Sequence, residues 1–211
     1  MAEDNNQTTR RQHWETVYQT KPVEQLSWFQ KDAGMSLRFV RQAQLPDKAH
    51  IVDVGGGTSV LAGVLLRENA TWSISVLDIS AASLHHARAS LGDLAHRVQW
   101  VEADVTQWRP DFAADLWHDR AMFHFLVAEG DRKAYADTLR TVLRPGGHAI
   151  IATFSLHGPT QCSHLPIVRY DASTLLAAIG DGLTLRDQCV MQHQTPSGKV
   201  QEFQFCLMQR V

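Results

Sequence analysis

The chain has 211 residues, 44% of them hydrophobic and 20% charged, with a formal net charge of −2. That is enough for one domain with a full core, and the charge balance offers neither the basic footprint of a nucleic-acid binder nor a basic run for a membrane surface. Cys162, Cys189 and Cys206 are odd in number and scattered, without a CxxC. They predict reduced thiols in a cytosolic protein. The polar N-terminal residues lack the apolar run of a secretory signal, and no segment is long enough to span a bilayer.

Residues 1–9 read as a disordered tail, and residues 10–211 as one domain, of which 10–48 form a helical cap and 49–211 the core. In the cap, His13-Trp-Glu-Thr-Val-Tyr18 places Trp14, Val17 and Tyr18 on one helical face. Leu26-Ser-Trp-Phe-Gln30 follows a Pro-containing loop. A second helix is predicted from about Asp32 to Gln44, ended by Pro46. From residue 49 strands and helices alternate. Strands are predicted at His50–Val54, Trp72–Asp78, Val98–Val101, Asp115–Asp119 and His148–Phe154. Ser80 is expected to cap the second core helix, and Arg144-Pro-Gly-Gly147 to form a sharp turn. The rhythm predicts a parallel sheet covered on both faces. It breaks at the end, where Leu183–Gln192 and Val200–Met208 flank Thr195-Pro-Ser-Gly198 as an antiparallel hairpin.

The central stretch is Ile51-Val-Asp-Val-Gly-Gly-Gly-Thr-Ser-Val60: a buried strand, a glycine turn and a helix start in ten residues. Gly55, Gly56 and Gly57 permit positive φ, and a ligand is expected against the backbone and the helix N-terminus. In a doubly wound sheet the ligand sits at the carboxyl ends of the strands. Those ends carry Asp53, Asp78-Ile79, Asp104-Val105 and His118-Asp119-Arg120. A carboxylate after the second strand suits the two hydroxyls of a ribose, and Asp104 suits an adenine amine. The third glycine of a GxGxxG dinucleotide fingerprint is missing. An adenosine with a short zwitterionic tail therefore fits better than a dinucleotide.

These pieces resemble the class I S-adenosylmethionine-dependent methyltransferases. The resemblance rests on Val52-Asp-Val-Gly-Gly-Gly57, Leu77-Asp-Ile79, Glu102-Ala-Asp-Val105, Asp115-Leu-Trp-His-Asp-Arg120, Leu143-Arg-Pro-Gly-Gly147 and the closing hairpin. It implies a Rossmann-like, seven-stranded α/β sheet in the order 3-2-1-4-5-7-6 with the last strand antiparallel. It implies a cofactor, S-adenosyl-L-methionine, held by Asp53, Gly55, Gly56, Gly57, Asp78, Ile79, Asp104 and Val105, with the backbone near His118 lining the transfer channel. Ser59 stands where that family often has its third glycine. The N-terminal stretch resembles a subgroup of small-molecule (thiopurine and tellurite-resistance types) and protein-lysine methyltransferases whose first helices lid the cofactor. There Trp28 or Tyr18 would lie against the sulfonium.

For catalysis, Asp119 and His124 are the expected base or substrate-orienting residues. Arg120 is expected either to hold a substrate carboxylate or to pair with Asp119. His164, Arg169 and Tyr170 lie in the loop after the fifth strand, which would overhang the substrate. No metal is expected, because the eleven histidines form no ligand-spaced cluster. A small-molecule acceptor is favoured over a protein lysine, since the insert after strand five is compact. The chain is expected as a monomer or homodimer. A nicotinamide-dependent oxidoreductase and a non-catalytic binding or scaffold protein on a retired methyltransferase fold are the remaining alternatives; the missing GxGxxG and the closing hairpin argue against the first, and the acids at 53, 78 and 104 against the second.

Overall fold

The protein is described here by a computed structural model that covers the backbone of residues 2–211 and the side chains from Thr8 on. The chain opens with helices α1 (Ala2–Thr20) and α2 (Gly34–Gln42). Then come β1 (His50–Val54), α3 (Leu61–Glu68), β2 (Ser73–Asp78), α4 (Ala81–Leu91), β3 (Val98–Glu102) and β4 (Ala114–Arg120). After these follow α5 (Glu129–Val142), β5 (Leu143–Phe154), a short hairpin β6 (Gln161–Cys162) and β7 (Leu165–Pro166), α6 (Ala172–Ile179), β8 (Leu183–Gln194) and β9 (Val200–Arg210).

Seven strands form one sheet in the order β3-β2-β1-β4-β5-β9-β8. With the small β6–β7 hairpin set aside, this is the expected order. The first five strands are parallel, and β9 runs antiparallel between β5 and β8. Strand alternation divides the core into two. One face carries Val52, Val54, Trp117 and Ile151 against Tyr135 and Leu139 of α5 and Leu175 of α6. The other carries Ile51, Leu116 and Ile150 against Phe39 of α2, Leu65 of α3 and Leu84 of α4. Phe39 stacks on Phe205 of β9, with ring centroids 6.0 Å apart and planes 10° from parallel.

Two expectations need correction. Residues 2–9 are not a tail but the first turns of α1. No proline or glycine interrupts that stretch of sequence. The Arg144-Pro-Gly-Gly147 turn is built into the start of β5, where the pairing with β4 shifts register between Ala114 and Leu116. Gly146 supplies the positive φ, +79°, that this irregularity needs. Ser80 does cap α4, accepting the Ser83 N–H at 3.1 Å.

Phe205 is fully buried on β9 and Val190 is 56% exposed on the edge strand β8. Phe205→Ala is expected to lower unfolding stability by about 3–5 kcal/mol, and Val190→Ala by under about 0.5 kcal/mol. Urea titration followed by circular dichroism measures both.

Candidate active site

The turn after β1 is organised by the carboxylate at the end of β2. Asp78 Oδ2 accepts the Gly57 N–H at 3.1 Å and Oδ1 accepts the Ser80 N–H at 2.9 Å. Gly55 alone of the three turn glycines takes positive φ, +64°, and its N–H bonds Leu77 O at 2.7 Å. A Cβ on Gly57 would stand 2.6 Å from Asp78 Oδ2. The bare backbone there admits the protein's own carboxylate, and Gly57 itself does not line the neighbouring cavity. Burial pushes the Asp78 carboxyl up to about 6, against the pull of those N–H bonds. It is still ionised at neutral pH and is partly open to the cavity.

That cavity lies over the ends of β1, β2 and β3. Gly55, Asp78, Ile79, Asp104 and Val105 line it on the sheet side, and Trp14, Tyr18, Trp28, Met122 and Phe125 cover it. The covering aromatics meet edge to face: Trp14 lies 4.9 Å from Phe125 and 5.7 Å from Trp28, centroid to centroid. A second lobe shares Tyr18, Trp28, Gly55 and Arg120 with the first and continues past Ser36, Asp53, Gly56 and His118. Its wall is a buried chain: His118 Nδ1 faces Asp53 Oδ1 at 2.7 Å, and Nε2 faces Ser36 Oγ at 2.8 Å. Asp53 Oδ2 has no partner. The cleft thus joins an apolar chamber with acids on its floor to a smaller polar one.

α1 is fastened over this cleft by Glu15 and Arg10, with Arg11 paired to Glu102 beside them. Glu15 Oε2 accepts the Ser80 hydroxyl at 2.7 Å and the Ala82 N–H at 3.2 Å, at the start of α4. Arg10 reaches Asp104 at 3.3 Å and Asp131, at the start of α5, at 3.1 Å. Asp104 Oδ1 accepts from the Thr106 N–H and hydroxyl. Neither Arg10 nor Glu15 was flagged by the sequence. Glu15 sits inside the His13–Tyr18 motif, but nothing in the motif says that its acid belongs to another helix's N-terminus.

The structure places the residues expected to act after β4 away from the cavity. Asp119 alternates to the face opposite His118 and Arg120. There it accepts from Met122 N–H, Phe123 N–H and the Tyr135 hydroxyl, whose oxygen in turn accepts from Trp117 Nε1. His124 is fully buried, its Nδ1 accepting the Phe154 N–H at 3.2 Å. Burial and the neighbouring Arg120 push it down to about 3, so it stays neutral. Neither residue lines the cavity. Arg120 does line it and makes no pair with Asp119. The loop after β5 divides similarly. His164 is exposed at the β6–β7 turn with φ +64°. Arg169 donates to the Leu156 and Gly158 carbonyls, and Tyr170 packs on Phe123 inside the core. Only Cys162 from this loop reaches the cavity. Among the described residues no group of three or more His, Cys, Asp or Glu side chains is placed to hold a metal. None of their helices is long and apolar enough to cross a membrane.

Comparison with known proteins gives this site its context. Residues 51–147 match the methyltransferase domain family. Over 105 residues the chain is 29% identical to malonyl-[acyl-carrier protein] O-methyltransferase 1 of Ilyobacter polytropus, covering 50% of this chain and 38% of that protein. Over 113 residues it is 34% identical to the ubiquinone/menaquinone biosynthesis C-methyltransferase UbiE of Paracoccus denitrificans, covering 52% and 44%. The match spans less than half the length of those relatives. The fold is similar throughout to Burkholderia thailandensis 1,6-didemethyltoxoflavin-N1-methyltransferase, solved with S-adenosylhomocysteine: TM-score 0.72, 14% identity, 99% of this chain and 90% of that one. The fold is that of the class I S-adenosylmethionine-dependent methyltransferases. Residues 51–147 are a methyltransferase domain.

Burial pushes the Asp119 carboxyl, like that of Asp78, up to about 6 from its ordinary 3.8. Unfolding restores the ordinary value, so between pH about 4 and about 6 the folded chain binds the extra proton. Each group therefore subtracts stability as pH rises through that window, by at most about 3 kcal/mol. The stability difference between wild type and Asp119→Asn is expected to move in the variant's favour from pH 4 to pH 6.5. Urea titrations at both pH values read it.

Proposed function

We propose that this chain is an S-adenosylmethionine-dependent methyltransferase acting on a small-molecule acceptor. The observation that carries the reading is the ionised, buried Asp78 at the floor of an aromatic-walled cavity beside the Gly55 turn. Its fit to an adenosine is chemical. The carboxylate suits two ribose hydroxyls, Asp104 and the Val105 amide suit the adenine edge, and Ile79 offers an apolar face. The polar lobe, with the unpartnered Asp53 Oδ2 next to Gly55 and Gly56, suits a zwitterionic tail.

The cofactor supplies an activated methyl group; the protein supplies position and dryness. Trp14, Tyr18, Trp28 and Phe125 exclude water from the chamber, and the faces of Trp28 and Tyr18 suit a sulfonium, a contact worth up to about 2 kcal/mol when desolvated. Burial, with Asp78 close by, holds the Tyr18 phenol well above its usual range, so it stays uncharged beside that cation. The relatives' names span O-, C- and N1-methylation, so they support the transfer and leave the acceptor to the cavity's own chemistry. The aromatic-capped chamber favours a small molecule over a lysine side chain brought by a protein.

S-Adenosylhomocysteine is expected to bind wild type in isothermal titration. Asp78→Asn is expected to weaken it about 10- to 100-fold, since one carboxylate oxygen becomes a donor facing donors. Absence of binding by both S-adenosylmethionine and S-adenosylhomocysteine sinks the reading. Labelled methyl transferred from the cofactor only into a protein band would instead select the lysine alternative.

A further inference from the structure

The end of β4 holds a partly buried cation with two donors that the fold leaves unpartnered. Arg120 donates Nη1–H to the Trp28 carbonyl at 3.1 Å, and its guanidinium lies 5.3 Å from the centroid of the Phe203 ring. Nε and Nη2 are shielded from solvent and have no hydrogen-bond partner. Among the described residues no carboxylate lies within ion-pair distance of it, and Asp53 attracts it from across the polar lobe. Burial lowers it to about 10, which leaves it charged at neutral pH. The next residue, Ala121, is held at φ +70°, a conformation that L residues seldom adopt, and lines the same cavity.

Buried donors left without acceptors are costly, and more so on a charged group. The two free groups here are not scattered. Nε–H and the adjacent Nη2–H lie parallel along one edge of the planar guanidinium, a fork that matches the two oxygens of a carboxylate. Arg120 lines both lobes of the cleft, and its head lies toward the β9 side. The cradle is built on β1, β2 and β3, whereas the Arg120 head lies over Phe203 of β9, three strands from β1 in the sheet. We propose that this edge takes a carboxylate of the methyl acceptor, so that Arg120 selects acids as substrates. The proposal rests on the methyltransferase reading above.

The rest of the cavity is consistent in kind. The apolar chamber offers no free base: Asp78 and Asp104 are already hydrogen-bonded, the Tyr18 phenol is shifted upward, and burial pushes the Cys162 thiol up to about 11. In the polar lobe, Asp53 faces His118. An acceptor that arrives ionised needs no base. An oxygen lone pair of the carboxylate forms the new O–CH3 bond, the S–CH3 bond breaks with its electron pair going to sulfur, and no proton moves. The products are a methyl ester and S-adenosylhomocysteine.

The test uses the full chain saturated with S-adenosylhomocysteine. The probes are acetate, malonate, succinate, citrate and benzoate, each compared with its amide. Trp14 and Trp28 line the cavity, so their fluorescence reports entry. Wild type is expected to bind at least one acid about tenfold or more tightly than its amide, and to convert that acid, with labelled S-adenosylmethionine, into a base-labile methyl ester. Arg120→Met is expected to erase the preference while S-adenosylhomocysteine affinity stays within about threefold, and Arg120→Lys to keep part of it. The proposal is overturned if wild type prefers no acid over its amide. It is equally overturned if Arg120→Met loses S-adenosylhomocysteine, which would assign the edge to the cofactor's own carboxylate. The acid–amide contrast is read on wild type, so a variant that fails to fold does not shelter the idea. Failure of wild type to bind S-adenosylhomocysteine at all would count against the methyltransferase reading instead.

Discussion

Two backbone N–H groups on one carboxylate hold this site together. Asp78 ties the turn after β1, through Gly57, to the turn after β2, through Ser80. Both turns open helices, so the carboxylate sits where two sets of unsatisfied amide donors converge. It can be buried as an ion only because those donors meet it. The glycine at position 57 follows from the same constraint, because any side chain there would strike the carboxylate. Ser80 then has two duties: its backbone bonds Asp78, and its hydroxyl bonds Glu15 of α1. The cavity floor and its cover are joined through one residue.

Much of the fold was legible because its signals are periodic. β1 spans the predicted residues, and β2, β3, β8 and β9 end within two residues of their predicted limits. Apolar runs bounded by turns are hard to mistake when both sheet faces are buried. The strand order followed from the alternation and the closing hairpin. The start of β5 was not legible. Pro145, Gly146 and Gly147 read as a turn, and the structure retains that turn as an irregularity inside a strand.

The site was legible where it depends on strand ends and obscure where it depends on side-chain direction. Asp53, Gly55, Asp78, Ile79, Asp104, Val105 and Arg120 all line the cleft, as the ends of parallel strands should. Asp119 is one residue from His118 and from Arg120, yet alternation sends it under Tyr135. Treating the three as one cluster ignored the two-residue period that had located the strand. His124 looked like a base because it is a histidine near the site; what it does is bond the Phe154 amide and stay neutral. The contacts from α1 were invisible for a different reason. Arg10 meets Asp104 and Asp131 across 94 and 121 residues of sequence, and no local pattern encodes such a meeting.

The two fastenings of α1 have a kinetic meaning. Arg10 and Glu15 lie on one helix, and each binds a turn at the mouth of the same chamber. A molecule as large as adenosine passes that mouth only when the helix lets go of at least one of them. The residence time of anything inside is then bounded by the lifetime of the Arg10 and Glu15 contacts. One is a largely buried ion pair and the other a pair of hydrogen bonds at a helix start, and on one rigid helix both must release for the whole cover to lift. The cover of the chamber is held by contacts made in the first twenty residues, far in sequence from the strand ends beneath it.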